Sequence, residues 1–366
     1  MEKNLNLPFY VRATYLTVGL TTFFYVLYIA RGIVIPLVFA LLIGILLNPL
    51  VKFFVGKGVN RLLSVSIVLI LVFIVLTSIS GFILSQAVLF SESWPLFIEK
   101  FSRTITHFIE FVSSYMGIEQ QQIYDFIGKA KGDIINVGTV AIGQTIVSIG
   151  NGVASLFLTG IYVFMILYYE PLLLEFINRL FAKSNQIQVR EIISKMKSLV
   201  KRYLVGLVIE TALVATLNSV GLLVLGIEYA ILLGIIGALL NLIPYIGGLV
   251  AVALPMMVAL ATKTSAWYAL YVLAIYYFIQ LVDNNLFVPK IIASKVKLNA
   301  LVSIVIVIVG NALWGVSGMF LSIPLLAIVK LVFDNVEELK PWGYLLGNTM
   351  PTAAKMKPIK RKVKEA

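Results

Sequence analysis

The chain has 366 residues and a formal net charge of +12, with 60% hydrophobic and only 13% charged side chains. Soluble domains carry about 45–50% apolar and about 25% charged residues, so a water-soluble globule, a disordered chain and a collagen-like fibre are excluded. What is left is an all-α polytopic membrane protein.

The first expected span is Ala13–Ala30. Lys3 and Arg12 precede it as in a secretory signal, but no small-residue cleavage pattern follows, so an uncleaved helix is expected. Gly32–Val55 and Leu62–Phe90 also meet the length of about 20 apolar residues that a bilayer requires. From Ser91 to Ile149 the chain is more polar. There Trp94, Phe97, Ile98, Phe101, Ile105, Phe108, Ile109 and Val112 recur at three- and four-residue steps, the spacing of an amphipathic helix lying on the membrane or against a neighbouring subunit. A glycine-containing stretch leads into a fourth span ending near Tyr168–Tyr169, closed by Glu170-Pro171. Ile187 to Arg202 reads as a basic amphipathic helix, Tyr203–Gly226 as a fifth span, and Ala266–Val288 as a sixth.

Two further segments, Glu228–Thr262 and Asn299–Phe333, each run 35 residues with almost no polar interruption. A straight helix of that length would be about 52 Å long, against a hydrocarbon core of about 30 Å. Each also breaks centrally, at Pro244-Tyr245-Ile246-Gly247-Gly248 and at Gly310-Asn311-Ala312-Leu313-Trp314-Gly315-Val316-Ser317-Gly318. Charge bias decides how to count them. With a cytoplasmic N-terminus, Lys52, Lys57 and Arg61 fall inside, and Ser91–Ile149, with four basic and six acidic residues, falls outside. Pro171–Arg202, with seven basic and two acidic, falls inside. Only if both long segments are re-entrant hairpins do Lys290, Lys295, Lys297 and the tail also fall inside. The expected architecture is therefore about six spanning helices plus two re-entrant helical hairpins, eight hydrophobic segments in all. It divides into a three-helix segment (1–90), an extracytoplasmic amphipathic region (91–149), membrane helices with a cytoplasmic amphipathic helix at 187–202 (150–226), a transport core with both hairpins (227–335) and a basic cytoplasmic tail (336–366). In that tail six Lys and Arg side chains from Lys355 to Lys364 face one Glu365, a pattern that suits anionic lipid headgroups better than nucleic acid.

Two broken segments entering from opposite faces suggest a transporter core, with substrate held near the midplane by half-helix ends and unwound backbone. Charged side chains within spans cost roughly 2.5–3.5 kcal/mol on insertion scales and mark functional sites. Glu210 lies about 12 Å along its helix beyond Arg202, with Asn218 on the same face two turns on. Asp283 has Gln280 one turn before it and Asn284 beside it. Asn241, Pro244, Tyr245, Gly247 and Gly248 form the first break, and Asn311 sits in the second. Glu210 and Asp283 are candidates to bind a proton or cation, with the asparagines and free carbonyls completing a solute site; the alternative is helix-to-helix pairing for Glu210 and a headgroup-facing position for Asp283. Nothing points to a cofactor or a metal centre. The chain has no cysteine, a single His107, and no phosphate-binding loop, H-E-x-x-H or G-x-S-x-G motif, so an enzyme is not expected.

Asn241-Leu242-Ile243-Pro244-Tyr245-Ile246-Gly247-Gly248, Asp283-Asn284-Asn285-Leu286-Phe287-Val288-Pro289-Lys290, Leu298-Asn299-Ala300-Leu301-Val302 and the Gly310–Pro324 stretch together resemble the autoinducer-2 exporter family. Asn299-Ala300 stands where the family commonly has His-Pro, and Lys295 and Lys297 are further departures. The resemblance implies a homo-oligomeric secondary transporter of the bacterial inner membrane, with some members similar to sodium (or lithium)/proton antiporters. Three functions are thus open: ion-coupled export of a small polar solute, monovalent cation/proton antiport, and a non-transporting envelope scaffold.

Overall fold

The computed structural model describes residues 8–116, 156–243, 247–293 and 298–348. It is built from helices, with no β-sheet among the described residues: α1 (Phe9–Ile29), α2 (Arg31–Gly56), α3 (Arg61–Met116), α4 (Leu156–Tyr168), α5 (Glu170–Arg179), α6 (Gln186–Val224), α7 (Ala230–Asn241), α8 (Gly247–Thr262), α9 (Trp267–Val282), a π-helical segment Asp283–Ala293, α10 (Ala300–Asn335) and α11 (Lys340–Leu346). Five of these are long and apolar enough to cross a bilayer, or six if α4 and α5, bent by 65°, form one span. The chain is thus an integral membrane protein.

Two boundaries differ from the expected ones. The apolar run 62–90 and the amphipathic helix after it are one 56-residue helix, α3, which Pro95 does not break. Trp94, Phe97 and Ile98 are buried within the same chain, in a cluster with Ile227, Ala230, Leu233 and Val258. The rest of the 91–149 region beyond Met116 lies outside the described residues. Likewise, the basic amphipathic helix and the fifth span are a single 39-residue rod, α6, about 58 Å long. No proline or glycine pair separates the two patterns at Arg202-Tyr203, so the hydrogen-bond ladder runs through.

The long rod organises two helical hairpins. At its Val224 end the chain turns through Gly226 and Tyr229, both at positive φ, into α7 and α8. These are 12 and 16 residues long, about 18 and 24 Å, and too short to span singly. Lys263, just past the end of α8, reaches back to within 3.1 Å of the Cβ position at Gly226. The chain therefore enters and leaves this hairpin at the same end. Tyr229 fixes that mouth to α3, with its hydroxyl 2.9 Å from Ser93 Oγ and its ring edge-on to Phe90 and Phe97.

The second hairpin is α10. Gly315 has φ 61° and ψ −142°, a region essentially restricted to glycine, and there the helix reverses into arms 300–314 and 316–335. The arms touch backbone to backbone: a Cβ on Gly318 would overlap the Gly310 carbonyl. Ser322 Oγ donates to Ile306 O across the arms at 3.0 Å. At the mouth Asn299 N donates to Leu346 O at 3.0 Å, and Asn335 accepts from Gln188 and Lys195 at the start of α6. At the tip Trp314 Nε1 donates to Leu27 O at the end of α1, 3.1 Å away. The two hairpins therefore open toward opposite ends of α6.

Glu170, at the bend beyond the fourth span, ties the scaffold together. It accepts from Asn48 Nδ2 and Lys197 Nζ at 2.6 Å each and from Arg61 Nη2 at 2.8 Å, while Arg61 also caps Leu167 O. One carboxylate thereby joins α2, α3, α5 and α6. Burial pushes the Glu170 carboxyl up, but hydrogen bonds from Lys197 and Arg61 and the nearby positive charges outweigh it and hold it at about 2, against an ordinary 4.5. Because the folded value is the lower one, the network stabilises the fold above pH 4.5 and is lost as pH falls through about 2. In detergent micelles Glu170→Gln is expected to cost about 3 kcal/mol at neutral pH, by leaving two cations unpaired. Thermal unfolding should show that cost vanishing as the wild type is acidified. Gly318→Leu should be more damaging still, since overpacking typically costs about 1–3 kcal/mol and here the obstacle is backbone. A melting temperature equal to the wild type's would contradict the arm contact.

Candidate functional site

The apolar part of α6 carries Glu210, which is 7% exposed, and Asn218, 3% exposed. Both project from the face that packs against α7 and α9. Close approach of the helices is set by small residues: Gly234 of α7 lies against the Ser219 backbone, and Gly221 of α6 against Ile275 of α9. A carboxyl this buried needs partners that offset its lost hydration.

The partner is Asp283, only 2% exposed. It sits where α9 gives way to the π-helical segment Asp283–Ala293. π-helical turns are rare and concentrate at functional sites. The wider turn directs Asp283 inward while Asn284 and Asn285 stay exposed. The Glu210 and Asp283 carboxyls are within hydrogen-bonding reach of each other. Asn241, the last residue of α7, donates from Nδ2 to Asp283 Oδ2 at 2.9 Å. Among the described residues neither carboxyl is ion-paired with a lysine or arginine. Two carboxyls in contact without a basic partner can be held together only by a shared proton or an intervening cation.

The start of α8 closes the arrangement. A Cβ on Gly248 would be 2.7 Å from Gln280 Oε1 and 3.7 Å from Asn241 Oδ1, so the α8 backbone lies directly over these amides. Gln280 in turn donates to Asn284 Oδ1 at 3.5 Å. The C-terminal end of α7 thus meets Asp283 through Asn241, and the N-terminal end of α8 meets the Asn241 and Gln280 amides beside it.

Of the residues singled out in the sequence, Glu210, Asn241, Gly248, Gln280, Asp283 and Asn284 come together here, and Gly247 begins α8 beside them. Asn218 lies two turns along α6, deeper between the helices. Pro244 and Tyr245 fall outside the described residues. Asn311 is exposed on the first arm of α10 and makes no hydrogen bond to this cluster. Tyr276 was not foreseen: it is 7% exposed, and its hydroxyl and the Asn218 amide both lie within about 3.3 Å of the Cβ position at Gly237. Its signal was there as spacing, since Tyr276, Gln280 and Asp283 fall on one helical face. In a span rich in tyrosine that spacing does not stand out.

A family model described as AI-2E family transporter matches residues 18–338. The AI-2 transport protein TqsA of Escherichia coli (strain K12) is 28% identical over 316 residues, covering 84% of this chain and 87% of TqsA. YhhT of the same strain is 23% identical over 326 residues, 88% of this chain and 90% of YhhT. YrrI of Bacillus subtilis (strain 168) is 22% identical over 312 residues, 83% and 86% respectively.

Proposed function

The chain belongs to the AI-2E transporter family, whose members are membrane transport proteins and not enzymes, and from that premise we propose that it is a secondary transporter whose coupling ion binds at Glu210 and Asp283. The observation that carries this reading is the contact of two buried carboxyls without a basic partner, at the point where the tip of the first hairpin, α6 and the π-helical segment meet. Binding or release of one proton or monovalent cation changes the charge at that point by one unit in an apolar setting, where its effect is largest. Asn241 and Gly248 carry the change into the hairpin. The reading fits export of a small polar solute across the bacterial inner membrane, with an AI-2-like signal as one example, as the name of TqsA indicates for that relative.

Cation/proton antiport is the second reading, and the same observation supports it: the bound cation would then be the cargo. Family membership favours both over a non-transporting scaffold. In either case the termini are read as cytoplasmic, so the first hairpin opens outward and the second inward. The exposed apolar faces of α1 and α3 meet lipid or, in the homo-oligomer implied by the resemblance, further copies of the chain.

Purified protein in liposomes holding a pH gradient provides the test. Collapse of the gradient on adding Na+ or Li+ selects antiport and its absence selects solute export. Glu210→Gln or Asp283→Asn should each slow the proton flux that the wild type shows, with cation or with a small polar solute, at least about a hundredfold, the range for removal of a positioned proton-transfer group. Retention of wild-type rates in both variants would remove the coupling role. Orientation is checked separately in this cysteine-free chain. A lone cysteine replacing the exposed Thr264 should react with an impermeant thiol reagent on intact cells, and one replacing the exposed Lys290 only after permeabilisation.

A further inference from the structure

Along α6, α7 and α9 the polar and apolar residues are stacked in register. The carboxyl pair with Asn241 forms one layer. The next, toward the first hairpin's mouth, is Val214 of α6, Ala238 of α7 and Ile279 of α9, which are mutually packed and buried. Beyond it lie Asn218, Gly237 and Tyr276, one residue from each of the same helices. Asn218 is eight residues from Glu210, Tyr276 seven from Asp283 and Gly237 four from Asn241, so this third level is roughly 10–12 Å from the pair along α6 and α9 and about 6 Å along α7.

The third layer is polar yet unsatisfied. Asn218 Oδ1 and Tyr276 Oη are buried without a hydrogen-bond partner. Both side chains converge on Gly237, with Tyr276 Oη at 3.2 Å and Asn218 Nδ2 at 3.3 Å from the point a Cβ would occupy. Helix-bridging polar side chains bond to each other or to backbone; these do neither, and both lie so close to Gly237 that a side chain there would press on them. A small group that accepts from Tyr276 Oη and donates to Asn218 Oδ1 would satisfy both when the packing around them opens, and among the described residues neither is ion-paired or hydrogen-bonded to a charged side chain.

We propose that Asn218 and Tyr276, around the Gly237 notch, bind a water molecule as the outer station of a proton path, and that Val214, Ala238 and Ile279 form the apolar gate between this station and the carboxyl pair. The inference rests on the coupling role of that pair. When the gate parts, waters entering the apolar layer complete a hydrogen-bonded file from the station to the ionised carboxyl; each water gives one proton as it takes another, and the station water takes its own from the side of the hairpin mouth. Tyr276 Oη gives one hydrogen bond and takes another, with no net change. When the gate is closed, the dry layer blocks the transfer, so protons do not leak during the solute half of the cycle.

The test is proton entry into pyranine-loaded liposomes under a potassium diffusion potential, without Na+ or Li+. Ile279→Ser, which wets the layer, should leak protons while the wild type does not. Adding Tyr276→Phe or Asn218→Leu should cut that leak roughly tenfold to a hundredfold. Ala238→Ser serves as a second gate variant should Ile279→Ser fail to fold, as judged by its size-exclusion profile. A tight membrane in both folded gate variants overturns the gate, and an undiminished leak in the Tyr276→Phe combination overturns the water station. Glu210→Gln separates the two levels. If it abolishes the cation- or solute-driven proton flux but leaves the Ile279→Ser leak intact, the coupling site stands and the path proposed here fails. If both persist, the coupling reading itself fails.

Discussion

Two carboxyl groups in contact inside an apolar helix packing impose the condition on which the remaining architecture depends. Their mutual repulsion and the loss of hydration cannot be offset by burial of neighbouring methyl groups, since an isolated ionised carboxylate in such a medium is prohibitively costly. The charge must be cancelled by something that comes and goes, or the site must be proton-bearing. The fold supplies the surroundings for that exchange: small residues that let α7 and α9 close on α6, an amide on Asp283, and helix ends rather than lysines as the source of partial charge. A fixed lysine would neutralise the pair permanently. Partial charges leave it responsive.

The second condition is that interrupted backbone at membrane depth be covered by protein. Each hairpin meets it differently. In α10 the reversal takes place at one residue, Gly315, and the arms are held by glycine-to-glycine contact and the Ser322 bond to Ile306. Few polar groups are freed, and the hairpin is almost wholly apolar. In α7–α8 the residues on either side of the turn, Asn241 and Gly248, meet Asp283 and Gln280. The apolar hairpin packs against α1 and α2, and the polar one meets the carboxyl pair to which we assign the coupling. Glu170 anchors the bundle against which both stand, at the opposite end of α6 from the first hairpin's mouth.

Much of this was written plainly in the chain. The 35-residue lengths and the glycines of both breaks marked the two segments that fold back, and the two acidic residues in apolar runs stood out singly, because each violates a rule of ordinary spans; that the two carboxyls meet was not legible. What escaped was continuity and contact. Periodicity changes at Phe90–Ser91 and at Arg202–Tyr203, but a change of face polarity marks where a helix leaves the bilayer, not where it ends. Tyr276 and Gly237 were hidden for a related reason. A tyrosine and a glycine are ordinary in apolar helices, and only the register between α6, α7 and α9 brings them to one point. Asn311 gave the reverse error of emphasis: an asparagine in a break draws attention, yet its hairpin reverses four residues later and leaves it at the surface.

In the proposed transporter the link from ion to motion runs through Asn241. Its amide makes the one side-chain hydrogen bond from the first hairpin to Asp283 among the described residues, and a bond to an ionised carboxylate is roughly twice as strong as one to a neutral acceptor. Protonating the pair therefore weakens the hold on the end of α7, and ionising it tightens that hold. At the other end of the same helix, Tyr229 is fixed by its ring contacts to Phe90 and Phe97 and by the Ser93 hydroxyl. A lever with one end clamped on a 56-residue strut and the other on a charge-dependent bond moves mainly at the charged end. Any displacement there shifts Ala238, one turn from Asn241, relative to Val214 and Ile279. The apolar layer and the carboxyl pair are thereby coupled through a single turn of helix, the shortest connection by which binding an ion can open or close a path.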